Sequence, residues 1–221
     1  MKNVWLFPLA VALVAVLANC GGDGRTGPSS PGAPAPTARA FQPLEFPFAD
    51  PRVIVKMASW GIPNWSGSEP HNGIDLVVDS RLTSITIMSP TAGEVRSVSS
   101  SENSFSQPVG QLLVTIAIRV NEEWTVNLVL EPSTADPALK VAQLAAVRVQ
   151  VGQIVSVGTP MANLLVGTLG YPHLHYMAER GNINVCVYPY SSESAKRMLE
   201  AIKGYPNSNV PGGQICVGQP S

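Results

Sequence analysis

The chain has 221 residues, of which 45% are hydrophobic and 13% charged, with a formal net charge of −1. That length suits one ordinary domain with appendages, and the apolar content supplies a core, which excludes a wholly disordered chain. The near-zero charge excludes an electrostatic footprint for nucleic acid or an anionic surface, and 19 glycines with 20 prolines point to many turns and few long helices.

In chain order, an export signal comes first. Lys2 gives a positive start, and Val4 to Leu17 is an apolar run of about fourteen residues, short of the roughly 17 to 25 that a membrane helix needs. It suits a signal h-region. The run ends in Leu17-Ala18-Asn19-Cys20, which resembles a bacterial lipobox, with Asn19 where glycine or alanine is usual. Residues 1–19 then read as a lipoprotein signal peptide and Cys20 as the lipidated residue that holds the chain to a membrane. An ordinary signal peptide cut near Cys20 is the alternative. Residues 20–43 are rich in Gly, Pro, Ser, Ala and Thr and cannot bury enough apolar surface to fold, so they read as a tether. Gly21 is not the acidic residue that holds some lipoproteins at the inner membrane, so the expected place is the outer membrane, facing the periplasm.

From Leu44 the texture is that of a β domain, residues 44–221. Short β-branched runs lie at Val53–Val55, Leu76–Val78, Ile85–Ile87, Leu112–Ile118, Trp124–Leu130, Val147–Val157 and Ile183–Val187, separated by turn formers. This predicts a mainly β, antiparallel sandwich or barrel. Val149 to Val155 alternates around Gly152 and predicts a tight hairpin. Pro137–Ala146 is a short helical candidate. Ser191–Lys203 is a better one, capped by Ser191 or Ser192, striped by Met198, Leu199 and Ile202, and stopped by Gly204. With Cys20 carrying lipid, Cys186 and Cys216 form an even pair in an oxidising compartment and predict a disulfide, with two free thiols as the alternative.

All three histidines fall in two short motifs, His71-Asn72-Gly73-Ile74-Asp75 and His173-Leu174-His175. On a strand, residues two apart share a face, so Leu174 turns to the core and both imidazoles to one cleft. Two histidines and Asp75 supply two nitrogens and one oxygen and leave a fourth tetrahedral position for water, the open arrangement of a catalytic Zn²⁺ site. The remaining imidazole is placed to move protons or stabilise an oxyanion. Either motif alone is weak, since two strand histidines are commonly ordinary surface. Tyr171, Tyr176 and Trp65 suit either a substrate groove or plain packing.

The two motifs together resemble the paired signatures of the lysostaphin-type (LytM-like) zinc metallopeptidases. Trp60-Gly61, Ser89 to Val95, Val149 to Gly158 and Gly167 to Gly170 are similar to that family's flanking stretches, so the resemblance covers roughly residues 60–190. It implies a β-sandwich-like or barrel-sandwich hybrid fold with one C-terminal helix, zinc held by His71, Asp75 and His175, and His173 as the catalytic imidazole. The implied reaction is hydrolysis of peptide bonds in peptidoglycan. The family's further histidine, on a strand between the motifs, has no counterpart here: the matching stretch reads Trp124 to Pro132, with Leu130 or Glu131 near its place. Glu131 can substitute as a general base, although a strand-end glutamate before proline reads most simply as surface.

Three functions compete on the residues. The first is a zinc endopeptidase acting on peptidoglycan peptides. The second is a zinc-retaining, non-catalytic module that binds peptidoglycan or regulates a partner cell-wall hydrolase. The third is a structural lipoprotein with no metal.

Overall fold

A computed structural model describes residues 40–63, 70–103 and 110–218. The signal segment, Cys20, most of the tether and Trp65 lie outside the described residues.

The domain is mainly β and antiparallel, as expected. Its strands are β1 (Ile54–Ala58), β2 (Ile74–Val78), β3 (Ser84–Met88), β4 (Gly93–Asn103), β5 (Gln111–Arg119), β6 (Trp124–Glu131), β7 (Ile154–Val155), β8 (Pro160–Leu165), β9 (His173–Arg180) and β10 (Ile183–Val185). One curled sheet runs in the order β1-β2-β9-β6-β5-β4-β7, with β10 also on β9, and β3 pairs β8 in a separate two-stranded sheet. β9 is the hinge of this arrangement. β6 pairs one of its edges from His173 to Arg180. On the other edge β2 takes the first half and β10 the second.

The period-2 pattern decides which face is which. Leu76, Leu128, Leu130, Leu174 and Tyr176 are completely or almost completely buried on one face, with Met57 of β1, in the main apolar cluster. The residues between them, on the opposite face, include Asp75, Glu131, His173 and His175. The same alternation that builds the core thus lifts the titratable groups out of it.

Both helical candidates are helices. Pro137–Ala145 (α1) is capped by Asp136, whose carboxylate accepts from the Ala138 N–H. Its buried Gln143 donates to the Asn163 carbonyl and accepts from the Leu165 N–H, docking α1 on β8. Glu193–Lys203 (α2) is capped by Ser192 and stops at Gly204. Its buried stripe is Ala195, Leu199 and Ile202, with Met198 at the margin. The predicted hairpin around Gly152 is a turn instead. The Gln153 N–H donates to the Gln150 carbonyl, Gly152 takes φ +84°, and Ile154–Val155 pairs with β4 instead of folding back on Val149–Val151. Phe41 lies 4.3 Å from the Trp124 ring, which also meets Tyr190 at 4.7 Å, so packed structure begins at least this early.

Cys186 and Cys216 are bonded, with Cα atoms 5.9 Å apart and a sequence separation of 30. The bond holds the C-terminal segment beside the stretch after β1. There the Trp60 N–H donates to the Ile215 carbonyl and the Val217 N–H to the Trp60 carbonyl. Gly61 is required at this crossing, because it takes φ +80° and a Cβ would lie 2.1 Å from the Val217 carbonyl oxygen. Closing such a loop limits the unfolded chain by about 3 to 4 kcal/mol. Replacing both cysteines by serine is expected to lower unfolding free energy by about that amount in urea titration, and added reductant should then have no further effect.

Candidate metal centre

Two rows of side chains cross the sheet on its non-core face. Directly opposite residues of antiparallel strands share a face. One row is Ala58, Asp75, His175 and Val129, and the other is Lys56, Val77, His173 and Glu131. His71 enters from the loop before β2. Its backbone exchanges bonds with that stretch, the Gly61 N–H donating to the His71 carbonyl and the His71 N–H to the Ile62 carbonyl. The register therefore brings together four residues from three places in the chain: His71, Asp75, His173 and His175. The His71 and His175 rings lie 5.0 Å apart, and the facing donor atoms of His71, Asp75 and His175 all fall within 4.8 Å of one another.

The hydrogen bonds settle which nitrogen of each ring is free. His71 Nδ1 lies 2.7 Å from the Ser59 carbonyl oxygen, which can only accept, so Nδ1 carries the proton. His173 Nδ1 is likewise 2.7 Å from the Tyr171 carbonyl oxygen. His175 Nε2 faces the Asn72 side-chain oxygen at 3.1 Å. In the neutral rings the other nitrogens are then lone pairs; those of His71 and His175 are aimed at Asp75, and that of His173 lies between Asp75 and Glu131. His71 Nε2 is 3.1 Å from Asp75 Oδ1, His175 Nδ1 is 2.8 Å from it, and His173 Nε2 is 3.6 Å from it. Acceptors facing acceptors at these distances repel. The arrangement needs positive charge between them, carried by protons or by a metal ion. A His/Asp/His set with its outer nitrogens anchored on a carbonyl and an amide can hold a metal ion, since such anchoring fixes the tautomer and aims the lone pair.

The titration shifts express the same fact. Burial works against charge on Asp75, yet the His173, His175 and His71 rings hold its carboxyl well below the usual range. Burial also works against the His173 cation, but the Asp75 and Glu131 carboxylates overcome it and push that imidazole up to about 10. His71 is raised, its burial outweighed by the Asp75 carboxylate. A bound cation would offset the Asp75 charge that leads the His173 shift.

Glu131 is the main residue that sequence reasoning undervalued. It is not plain surface. Its side chain is 14% exposed, and its Oε2 lies 3.4 Å from His173 Nε2, directly opposite in register. The signal was present, because Val129 and Glu131 fall on the face that His175 and His173 occupy. Asn72 and Gly73 also act within the first motif. A Cβ on Gly73 would lie 2.5 Å from His175 Nε2, so that ring sits where any larger residue would put a side chain. Of the aromatics, Tyr171 is 61% exposed at the rim, while Tyr176 is buried in the core. Burial pushes the Tyr176 phenol pKa far up, and its hydroxyl has no hydrogen-bond partner among the described residues.

No protein-family model matches the chain, and no curated protein matches it. Among solved structures it is similar to a Pseudomonas aeruginosa protein provisionally named peptidase M23, at 17% identity and a TM-score of 0.37. The match covers 68% of this chain and 54% of that one, so the chain spans about half the length of the structure it matches.

Two outcomes follow from this geometry. Gly73→Ala has an ordinary backbone conformation available and should fold, but the added Cβ displaces the His175 ring. Divalent-ion affinity measured by calorimetry should fall roughly tenfold to a hundredfold, the range for disturbed ligand support. The second concerns the chelated protein. The His173 pKa is about 10 folded against 6.5 as reference, so its contribution is complete below pH 6.5 and fades as pH rises towards 10. Urea midpoints should decline through that window, and the decline should shrink in His173→Gln.

Proposed function

We propose that the chain is a zinc metallo-endopeptidase of the bacterial cell envelope that hydrolyses peptide bonds of peptidoglycan. His71, Asp75 and His175 are the ligands in this reading and His173 the catalytic imidazole. The observation that supports it is the convergence of the His71, His175 and His173 imidazoles on one half-buried carboxylate, Asp75, with Glu131 against His173. Two nitrogens and one carboxylate oxygen suit Zn²⁺ with an open position. When bound, the ion supplies Lewis-acid polarisation of a carbonyl and lowers the pKa of water to about 7.

The chain's own residues handle the proton. Tyr171 fixes the His173 ring through Nδ1 and leaves Nε2 facing Glu131 Oε2 at 3.4 Å. Glu131 accepts a proton from the attacking water, and His173 holds one at Nε2 for the leaving group. The hydroxyl ends on the peptide carbonyl carbon, the C–N bond breaks, and the proton reaches the departing nitrogen. Glu131 thus takes up the work of the histidine that the resembling family carries between its motifs.

The lipobox-like Leu17 to Cys20 supports export and anchoring through a lipid on Cys20, with residues 20–43 giving reach into the periplasm from the outer membrane. Muropeptides are the substrates in that setting. The change from histidine to Glu131 also favours a second reading, a zinc-binding module that engages wall peptides or a partner hydrolase without turnover.

Protein purified from Cys20 onward should hold about one zinc per chain by metal analysis, and Asp75→Ala should hold none. With muropeptides it should release cleaved peptides detectable by mass spectrometry. His173→Ala should abolish release, and Glu131→Gln should slow it by roughly a hundredfold or more, the usual yield of a positioned general base. Binding of muropeptides with zinc present and no cleavage would favour the second reading.

A further inference from the structure

A cleft of about 440 Å³ is lined by Lys56 of β1, Val77 of β2, Asp79, Arg81 and the Gly170–Pro172 turn, whose Tyr171 carbonyl also anchors His173 of the metal centre. We propose that this cleft is a subsite for a carboxylate of the bound peptide, with the Lys56 ammonium as the recognising charge and Tyr171 as the platform that positions it. The inference rests on the peptidase reading and names the class of peptide that reading prefers, an acidic one.

Register places the lysine. Lys56 is opposite Val77, and Val77 is opposite His173, so Lys56, Val77, His173 and Glu131 stand in one row on one face. Adjacent strands are about 4.8 Å apart, which separates the Lys56 and His173 backbones by roughly 10 Å. Tyr171 joins the two positions. Its carbonyl fixes His173 Nδ1, and its ring lies under Lys56, with Nζ 3.2 Å from the centroid.

Charge gives the ligand class. A ring face orients an ammonium but does not neutralise it. The other two charges of the cleft cancel, since Asp79 and Arg81 are paired at 2.6 Å. Lys56 has no carboxylate within 4.0 Å among the described residues. Among the described residues that line the cleft, one net positive charge is left. An extended peptide advances about 3.3 to 3.6 Å per residue, so the recognised carboxylate falls roughly three residues from the bond to be cleaved.

The test is calorimetric binding on the zinc-loaded chain from Cys20 onward, in a His173→Ala background so that turnover does not intervene. The probes are N-acetyl-Ala-Glu-Lys-Ala-Ala with free carboxylates, and the same peptide with glutamine for glutamate and a C-terminal amide. The acidic peptide should bind about fivefold more tightly, with the difference fading as salt is raised. Lys56→Gln and Tyr171→Ala should bring the two peptides within twofold, and Lys56→Arg should keep the preference. Equal affinities in the parent, no measurable binding of either peptide, or a preference that survives Lys56→Gln would overturn the proposal. The last outcome would mean that the zinc itself selects the carboxylate. Failure of the peptidase reading looks different: muropeptides are not cleaved by the chain with His173 intact, while the acid preference and its loss in Lys56→Gln persist.

Discussion

Asp75 Oδ1 has an imidazole nitrogen of His175, His71 and His173 at 2.8, 3.1 and 3.6 Å, and lone pairs cannot face it so closely without positive charge among them. The rest of the site depends on this constraint. It accounts for the direction of each shift there, with His71 and His173 raised and Asp75 lowered. It also explains why the outer nitrogens are all occupied. Anchoring on Ser59, Asn72 and Tyr171 fixes the orientation of the three rings, so little reorganisation of them would be needed to hold an ion.

The sheet supplies the precision. A one-residue slip of β9 against β2 would turn His173 and His175 into the core and expose Leu174 and Tyr176. Burial of those two residues therefore enforces the register that the site requires. Beyond the sheet, a second line of support reaches His71. The Cys186–Cys216 bond holds the C-terminal segment, which in turn holds Ser59. The Ser59 N–H donates to the Asn209 carbonyl and its hydroxyl to the Gln214 carbonyl. The Ser59 carbonyl is the group that orients the His71 ring.

What the sequence displays and what it conceals divide along physical lines. The His-Leu-His spacing on a β background was sufficient to predict that both rings share a face, and the order of Ser192, the apolar stripe and Gly204 was sufficient for α2. β4 was harder, because Ser97 and Ser99 to Ser101 lack the β-branched texture of the other strands. That strand exists through its long pairing with β5, a tertiary effect that local propensity does not register. The Val149–Val155 stretch has hairpin texture, but Ile154 and Val155 find an edge of the main sheet instead. Glu131 was visible as a residue and not as a participant. Its role appears only when the strand-end carboxylate is set against the partner strand, and proline after it marks the end of pairing without saying what the last side chain faces.

Asp75 and His175 stand 100 positions apart and are joined through a central strand with neighbours on both edges. Closing so long a loop carries an entropy cost that is recovered only once β9 has docked. An ion therefore cannot nucleate this fold in the way that a zinc-finger ion does. An ion held here would bind only once β2 and β9 are paired, so its uptake would follow folding of the sheet.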